Sequence, residues 1–198
     1  LDLPFKRSDK CPTALLIKPA GAMFLAAELF VREAFQGEPF IGMHWRRGTS
    51  RRTASGTAQE CVLLPCAAGG LLVYRKTREL AINNLFLATN AKHAELEELT
   101  VLLNQMSDYK LNIVRLPSVR EKSKEKWMRP IQHLTLGRTE LIPVALEKLI
   151  CAQSHVFWGS VASTFSMDIQ RLRHGLRVAS CNDTTICYGE KEWIRNRG

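Results

Sequence analysis

The chain has 198 residues, of which 45% are hydrophobic and 24% charged, the balance of a globular protein with a buried core rather than of a disordered or fibrous one. Lys and Arg number 28 against 19 Asp and Glu, a net charge of +9 that suits an anionic partner without naming it. The longest apolar runs, at 65–74 and 141–150, are short or broken by charge and fall below the ~20 residues of a bilayer span, so no membrane contact by this segment is expected.

In chain order, Met23, Phe24, Ala27, Phe30, Val31 and Ala34 recur at spacings of three and four, which predicts an amphipathic helix over 21–36, closed by Gly37. Residues 39–45 read as a buried strand that runs into Arg46, Arg47, Arg51 and Arg52. A helical stretch near 71–83 leads to a strand at 85–88. Leu96, Leu99, Leu102, Leu103 and Met106 mark a helix over 95–107, followed by a strand at 111–116. Residues 117–138 read as a long polar connection. A helix at 140–152, a strand at 155–158 and a helix at 164–174 complete the pattern. Alternating helices and short apolar strands predict an α/β fold, a Rossmann-like parallel sheet with helices on both faces, as a single domain over 1–198.

Ligands of such sheets bind beyond the carboxyl ends of the strands. Three strand ends carry chemically useful residues: His44-Trp45-Arg46-Arg47, Thr89-Asn90 and the run 159–166, which ends in Ser163-Thr164-Phe165-Ser166. In the last of these a strand, a small-residue loop and a helix start follow one another, and free N–H groups at a helix start form an anion site. Ser163 or Thr164 could equally be an ordinary helix cap. Neither GxGxxG nor GxxxxGK[ST] occurs, which argues against nicotinamide and ATPase chemistry. No nucleic-acid reader motif accompanies the basic residues, and nucleic acid is not an expected partner.

Cysteines stand at 11, 61, 66, 151, 181 and 187 with no CxxC pair, which argues against a zinc ribbon or a thioredoxin-like site. Asn182-Asp183-Thr184 is an N-glycosylation sequon, making Asn182 a candidate glycan site. Cys181 and Cys187 flank it in a polar, loop-like stretch and are expected to pair. Cys151, inside a predicted helix beside Ile150, is expected to be a buried free thiol. Sequon and even cysteine count together favour the secretory pathway, in the lumen of the endoplasmic reticulum or Golgi.

Three blocks resemble the GDP-fucose protein O-fucosyltransferases. The stretch 41–48, with its His-x-Arg-Arg, is similar to the family's first motif, and 85–90, an apolar strand ending Ala-Thr-Asn, to its second. The third spans Ala145 to Ala152, Phe157-Trp158-Gly159-Ser160, Ser163-Thr164-Phe165-Ser166, Ile169 and Arg173. The resemblance implies the C-terminal, donor-binding lobe of a GT-B glycosyltransferase, whose N-terminal lobe is not in these residues and would be a partner within the same protein. It implies GDP-fucose as donor substrate, a protein or glycan hydroxyl as acceptor, and inverting displacement without a metal; no DxD pair is present. Arg46 would be catalytic, stabilising the departing diphosphate. His44, Arg46, Arg47, Asn90, Glu147, Ser163, Thr164, Phe165 and Ser166 would contact the nucleotide sugar.

Two departures bear on activity. Gly48, Thr49 and Ser50 follow where relatives often place an aspartate, and Asn90 stands where the second motif ends in one. A catalytically inactive, transferase-like structural or binding module in a secretory or extracellular assembly is therefore the competing expectation.

Overall fold

The computed structural model describes residues 21–46, 61–62, 73–75, 77–106, 111–117, 125–134, 141–160, 163–186 and 188–189. The first helix, α1 (Ala22–Phe35), buries Ala26, Ala27, Phe30 and Phe35 on one face, as the spacing dictates. It ends because the backbone turns left-handed at Gln36 (φ 53°) and Gly37 (φ 87°), and the Gln36 N–H closes on Arg32 O at 3.0 Å. The chain re-enters as β1 (Phe40–Trp45), every residue of which is buried.

Next come a two-residue strand, β2 (Cys61–Val62), and then β3 (Asn84–Thr89), α2 (His93–Met106) and β4 (Asn112–Val114). A 3-10 helix (Lys126–Leu134), α3 (Leu141–Ala152), β5 (Val156–Ser160), α4 (Thr164–Gly175), β6 (Thr184–Ile186) and β7 (Tyr188–Gly189) complete the order. The main sheet runs β4-β3-β1-β5-β6 and each neighbouring pair is parallel. The β2 and β7 residues form a separate antiparallel pair. Continuously apolar strands at the centre of a parallel sheet are what a layer covered on both faces demands. Alternate residues of β1 serve the two faces. Phe40 packs with α1, the 3-10 helix, α3 and α4, while Ile41, Met43 and Trp45 pack with α2, Val73 and Ile82. The expected Rossmann-like architecture is therefore the observed one.

Two expectations are corrected. Residues 117–138 are not simply a polar connection, because the 3-10 helix within them buries Trp127, Met128 and Ile131. Trp127 meets Phe30 of α1 edge-on at 5.4 Å. Three apolar residues among Lys126, Arg129, Pro130, Gln132 and His133 are too few to show helical periodicity, yet a tight turn brings them to one side. The stretch after Cys181 is not loop throughout, since β6 joins the sheet with Trp158 opposite Thr184 and Ser160 opposite Ile186. Its Thr-Thr-Ile sequence gives no alternation to read; the backbone ladder carries it.

Arg173 explains why β6 docks there. Its side chain is fully buried, and Nε and Nη2 donate to Asp183 Oδ2 at 2.8 Å and Oδ1 at 3.0 Å. Nη1 donates to Ala152 O at 3.1 Å and Ser154 O at 2.5 Å, and Nη2 also to Val178 O at 2.9 Å. Asp183 accepts in addition from the N–H groups of Phe157 and Ser180. A planar guanidinium with five donors can tie helix, strand start and turn together in this way. Gly42 serves the same end of the sheet, since a Cβ there would lie 2.8 Å from Ser154 Oγ and 3.1 Å from Cys151 Cα.

Candidate functional site

Strand order reverses at β1. The chain leaves β1 for β3 and β4 on one side, then returns to lay β5 and β6 on the other. The carboxyl ends of β1 and β5 therefore bound the crevice where ligands of doubly wound sheets bind.

Those two ends are stitched together by serines. The Arg46 N–H donates to Ser160 Oγ at 3.0 Å, and that hydroxyl donates to His44 O at 2.8 Å. Ser166, in the first turn of α4, accepts the Ser160 N–H at 2.9 Å and lies 2.8 Å from His44 Nδ1. Burial, with the charges of Arg46 and Lys148, lowers the His44 pKa to about 4. The imidazole is neutral at pH 7. Ser166 Oγ thus bridges the Ser160 N–H and one nitrogen of that neutral ring. Gly159 allows this closeness, because a Cβ on it would meet Ser166 Cβ at 2.8 Å. On the other flank Thr89 Oγ1 donates to Trp45 O at 2.5 Å and accepts the Ala91 N–H at 3.0 Å, which ties the end of β3 to that of β1.

The start of α4 is the second component. Ser163 is its N-cap residue, 1% exposed, and its hydroxyl makes no capping bond. Its Oγ is buried without a hydrogen-bond partner among the described residues. The ordinary cap reading is thus not what the geometry holds. The amide N–H of Met167 is the first to reach back to Ser163 O, at 3.0 Å, so the first-turn amides and the positive end of the helix dipole meet at one place. A buried hydroxyl with no partner beside them is a costly arrangement unless a ligand accepts from it.

Phe165 stacks on His44 with ring centroids 4.4 Å apart, and Lys148 Nζ lies 5.2 Å from the Phe165 centroid. Lys148 also pairs with Asp168 at 2.7 Å, which holds that exposed carboxyl below its usual range. Glu147, its neighbour in α3, is half-buried, and burial raises its pKa to about 7 against the opposing pull of Arg115. At neutral pH the crevice therefore joins a neutral imidazole with Arg46 and Lys148, and its electrostatics favour an anion.

Of the sequence-predicted site residues, His44, Arg46, Ser163, Thr164, Phe165 and Ser166 converge on this crevice. Asn90 is exposed just past the end of β3, one strand away. Arg47 and Cys187 lie outside the described residues. Cys181 is disulfide-bonded, and Cys151 is a buried free thiol whose pKa burial pushes well up. Sequence reasoning named Thr89 and Ser160 only as members of their strand-end runs, and it gave Lys148 no role of its own. The approach of Lys148 to Phe165 depends on how α3 and α4 pack, and no spacing rule encodes that. Among the described residues no three His, Cys, Asp or Glu side chains gather as a metal site, and no helix is long and apolar enough to cross a membrane.

Comparison with known proteins gives concordant matches. The chain is similar to O-fucosyltransferase 36 of Arabidopsis thaliana, at 31% identity over 186 residues, covering 93% of this chain and 31% of that protein. It is also similar to O-fucosyltransferase 14 of the same plant, at 30% over 184 residues, and to GDP-fucose protein O-fucosyltransferase 2 of Caenorhabditis elegans, at 28% over 172 residues. The chain spans about a third of the length of these curated relatives. No protein-family profile matches it. Among solved structures, crystals of POFUT1 in complex with GDP-fucose and with GDP superpose with TM-scores of 0.56 and 0.55 at 14% identity, each covering 85% of this chain and 47% of that one. At that identity the likeness establishes the shared fold.

Proposed function

Because the chain belongs to the O-fucosyltransferase family, matching about a third of its relatives' length, we propose that it is the donor-binding lobe of a two-lobed GT-B enzyme that transfers fucose from GDP-fucose to a protein or glycan hydroxyl. The observation that carries this reading is the meeting of Arg46, at the end of β1, with the α4 start, where Ser163 Oγ is buried without a partner among the described residues. A diphosphate supplies acceptor oxygens for a guanidinium fork, for first-turn amides and for that hydroxyl. POFUT1, whose fold the chain shares, has been crystallised with GDP-fucose.

In the proposed reaction the acceptor oxygen attacks the anomeric carbon as the bond to the diphosphate breaks, inverting that centre. Negative charge then grows on the departing GDP. Arg46 and the α4 dipole stabilise it, and because they are already oriented they lower the barrier without reorganising. His44, held by Ser166 and Phe165, presents a neutral imidazole. Arg47, Asn90, Glu147, Thr164 and Phe165 are further proposed contacts to the nucleotide sugar. The base that takes the acceptor proton is assigned to the other lobe. No metal is needed in this scheme, since fixed cations neutralise the leaving group. The compartment proposed is the lumen of the endoplasmic reticulum or Golgi, supported by the oxidised Cys181.

Asn90, where the family's second motif ends in aspartate, favours a second reading: a lobe that retains nucleotide binding and serves an assembly without turnover. Both are tested on the full-length protein with GDP-fucose, acceptor and chelator. GDP release that depends on acceptor and survives chelation supports the enzyme. GDP binding without release supports the module, and neither binding nor release removes both.

A further inference from the structure

The edge of the sheet opposite the crevice carries the sequon. All strands of the main sheet are parallel, so their amino ends share one edge, and Asn182 lies just before β6 at that edge. Trp158 stands opposite Thr184 and Ser160 opposite Ile186, which places Asn182 near the level of Val156, whereas the crevice begins at Ser160. Four strand residues separate the two levels, roughly 13 Å at the usual rise. Asn182 is exposed, and its backbone N–H is fixed by Ser180 Oγ at 3.1 Å.

We propose that Asn182 carries an N-linked oligosaccharide, attached before β6 docks and projecting from the sheet edge remote from the crevice. The linkage forms when Asn182 Nδ2 attacks the anomeric carbon of a polyprenyl-diphosphate-linked oligosaccharide. The C–O bond to the diphosphate breaks, the lipid diphosphate leaves, and a base of the modifying enzyme takes the Nδ2 proton. That enzyme must hold Asn and Thr of the acceptor together in its own site. In the folded domain the middle residue, Asp183, is held by both arms of Arg173 and by the N–H groups of Phe157 and Ser180. Thr184 is laddered to β5 and half-buried. Freeing the segment means separating the Arg173–Asp183 ion pair and the amide bonds that hold Asp183. The nascent chain pays nothing of the kind, so modification precedes docking. The oxidised Cys181 beside the sequon is an independent mark of a compartment where such transfer occurs. Once attached, the glycan stands beside β6, the last strand in the sheet order, where a bulky hydrophilic group opposes edge-to-edge association.

The inference does not depend on the nucleotide reading. To test it, the full-length protein is produced in a eukaryotic secretory host and treated with peptide N-glycosidase in heavy-oxygen water. The Asn182 peptide of the wild type should gain the mass of deamidation with one heavy oxygen. Total protein from Thr184→Ala, folded or not, should lack that tag, and Thr184→Ser should keep it. The oligosaccharide-transferring enzyme, supplied with folded, unmodified protein and the lipid-linked donor, should leave Asn182 untouched until the domain is unfolded. An unmodified Asn182 peptide from the secretory host overturns the site, and efficient modification of the folded domain overturns the order of events. Asn182→Gln should leave GDP affinity unchanged in protein that melts cooperatively; a loss of affinity there would contradict the placement on the remote edge.

Discussion

Ser166 binds both His44 Nδ1 and the Ser160 N–H, so one hydroxyl sets the ring and closes the strand end. Ser166→Ala should leave the buried Ser160 amide unpaired and destabilise the domain by about 1–3 kcal/mol in urea unfolding. It should also weaken nucleotide binding, because the ring loses the bond that holds its orientation. Glu147 gives a pH test. Its pKa is about 7 in the folded state against an ordinary 4.5, so between those values the folded state holds a proton that the unfolded state lacks, and stability falls as pH rises through the window. Glu147→Gln removes that loss. The variant should gain stability relative to the wild type between about pH 5 and pH 8, with no gain below the ordinary carboxylate range. His44 has the opposite sign. Lowered from 6.5 to about 4, it takes stability away as pH falls through that interval, a change that cancels between wild type and the Gln variant. A difference in stability that is flat with pH would mean Glu147 is not desolvated.

Among the elements, α4 is placed by glycine at one end and arginine at the other. Gly159→Ala would set a methyl 2.8 Å from Ser166 Cβ, which only a shift of the helix start can relieve. A loss of about 1–3 kcal/mol is expected, with nucleotide affinity falling more than for a remote core change of equal cost. At the far end Arg173→Met would strand Asp183 among amide donors. Such a change should cost about 3–5 kcal/mol and expose β6 to hydrogen exchange before the rest of the sheet. Equal exchange of β5 and β6 in that variant would show that the pair does not hold the strand. The elements legible in sequence were those whose burial is periodic or continuous. Phe30 and its neighbours announced α1, and 39–45 announced β1. The 3-10 helix and β6 escaped because Trp127, Met128 and Ile131 follow no helical repeat and Thr184 to Ile186 has no apolar face. What holds them is tertiary: Phe30 for the former, Arg173 and Asp183 for the latter.

Over the whole molecule, the strand reversal at β1 turns a sequence with basic and hydroxyl-rich patches some 117 residues apart, at Arg46 and Ser163, into one crevice. The patches themselves were legible, because charge clusters and helix starts are local signals. Their meeting was expected only from the order of helices and strands. The inward turn of Lys148 was not readable, nor was the neutral state of His44, since both follow from packing of α3 and α4 rather than from spacing. The net charge of +9 was least informative, for it does not say which cations face the ligand. Arg46 permits a clean test, because its fold-bearing bond is the backbone N–H to Ser160, and alanine keeps it. The decisive measurement is GDP affinity by calorimetry for full-length wild type and Arg46→Ala. Removing one charge-assisted contact should cost about 1.5–3 kcal/mol, a drop of roughly ten- to a hundred-fold in affinity with the melting temperature of the unliganded protein unchanged. Equal affinity in the two proteins would contradict the assignment of the crevice between β1 and α4 as the diphosphate site.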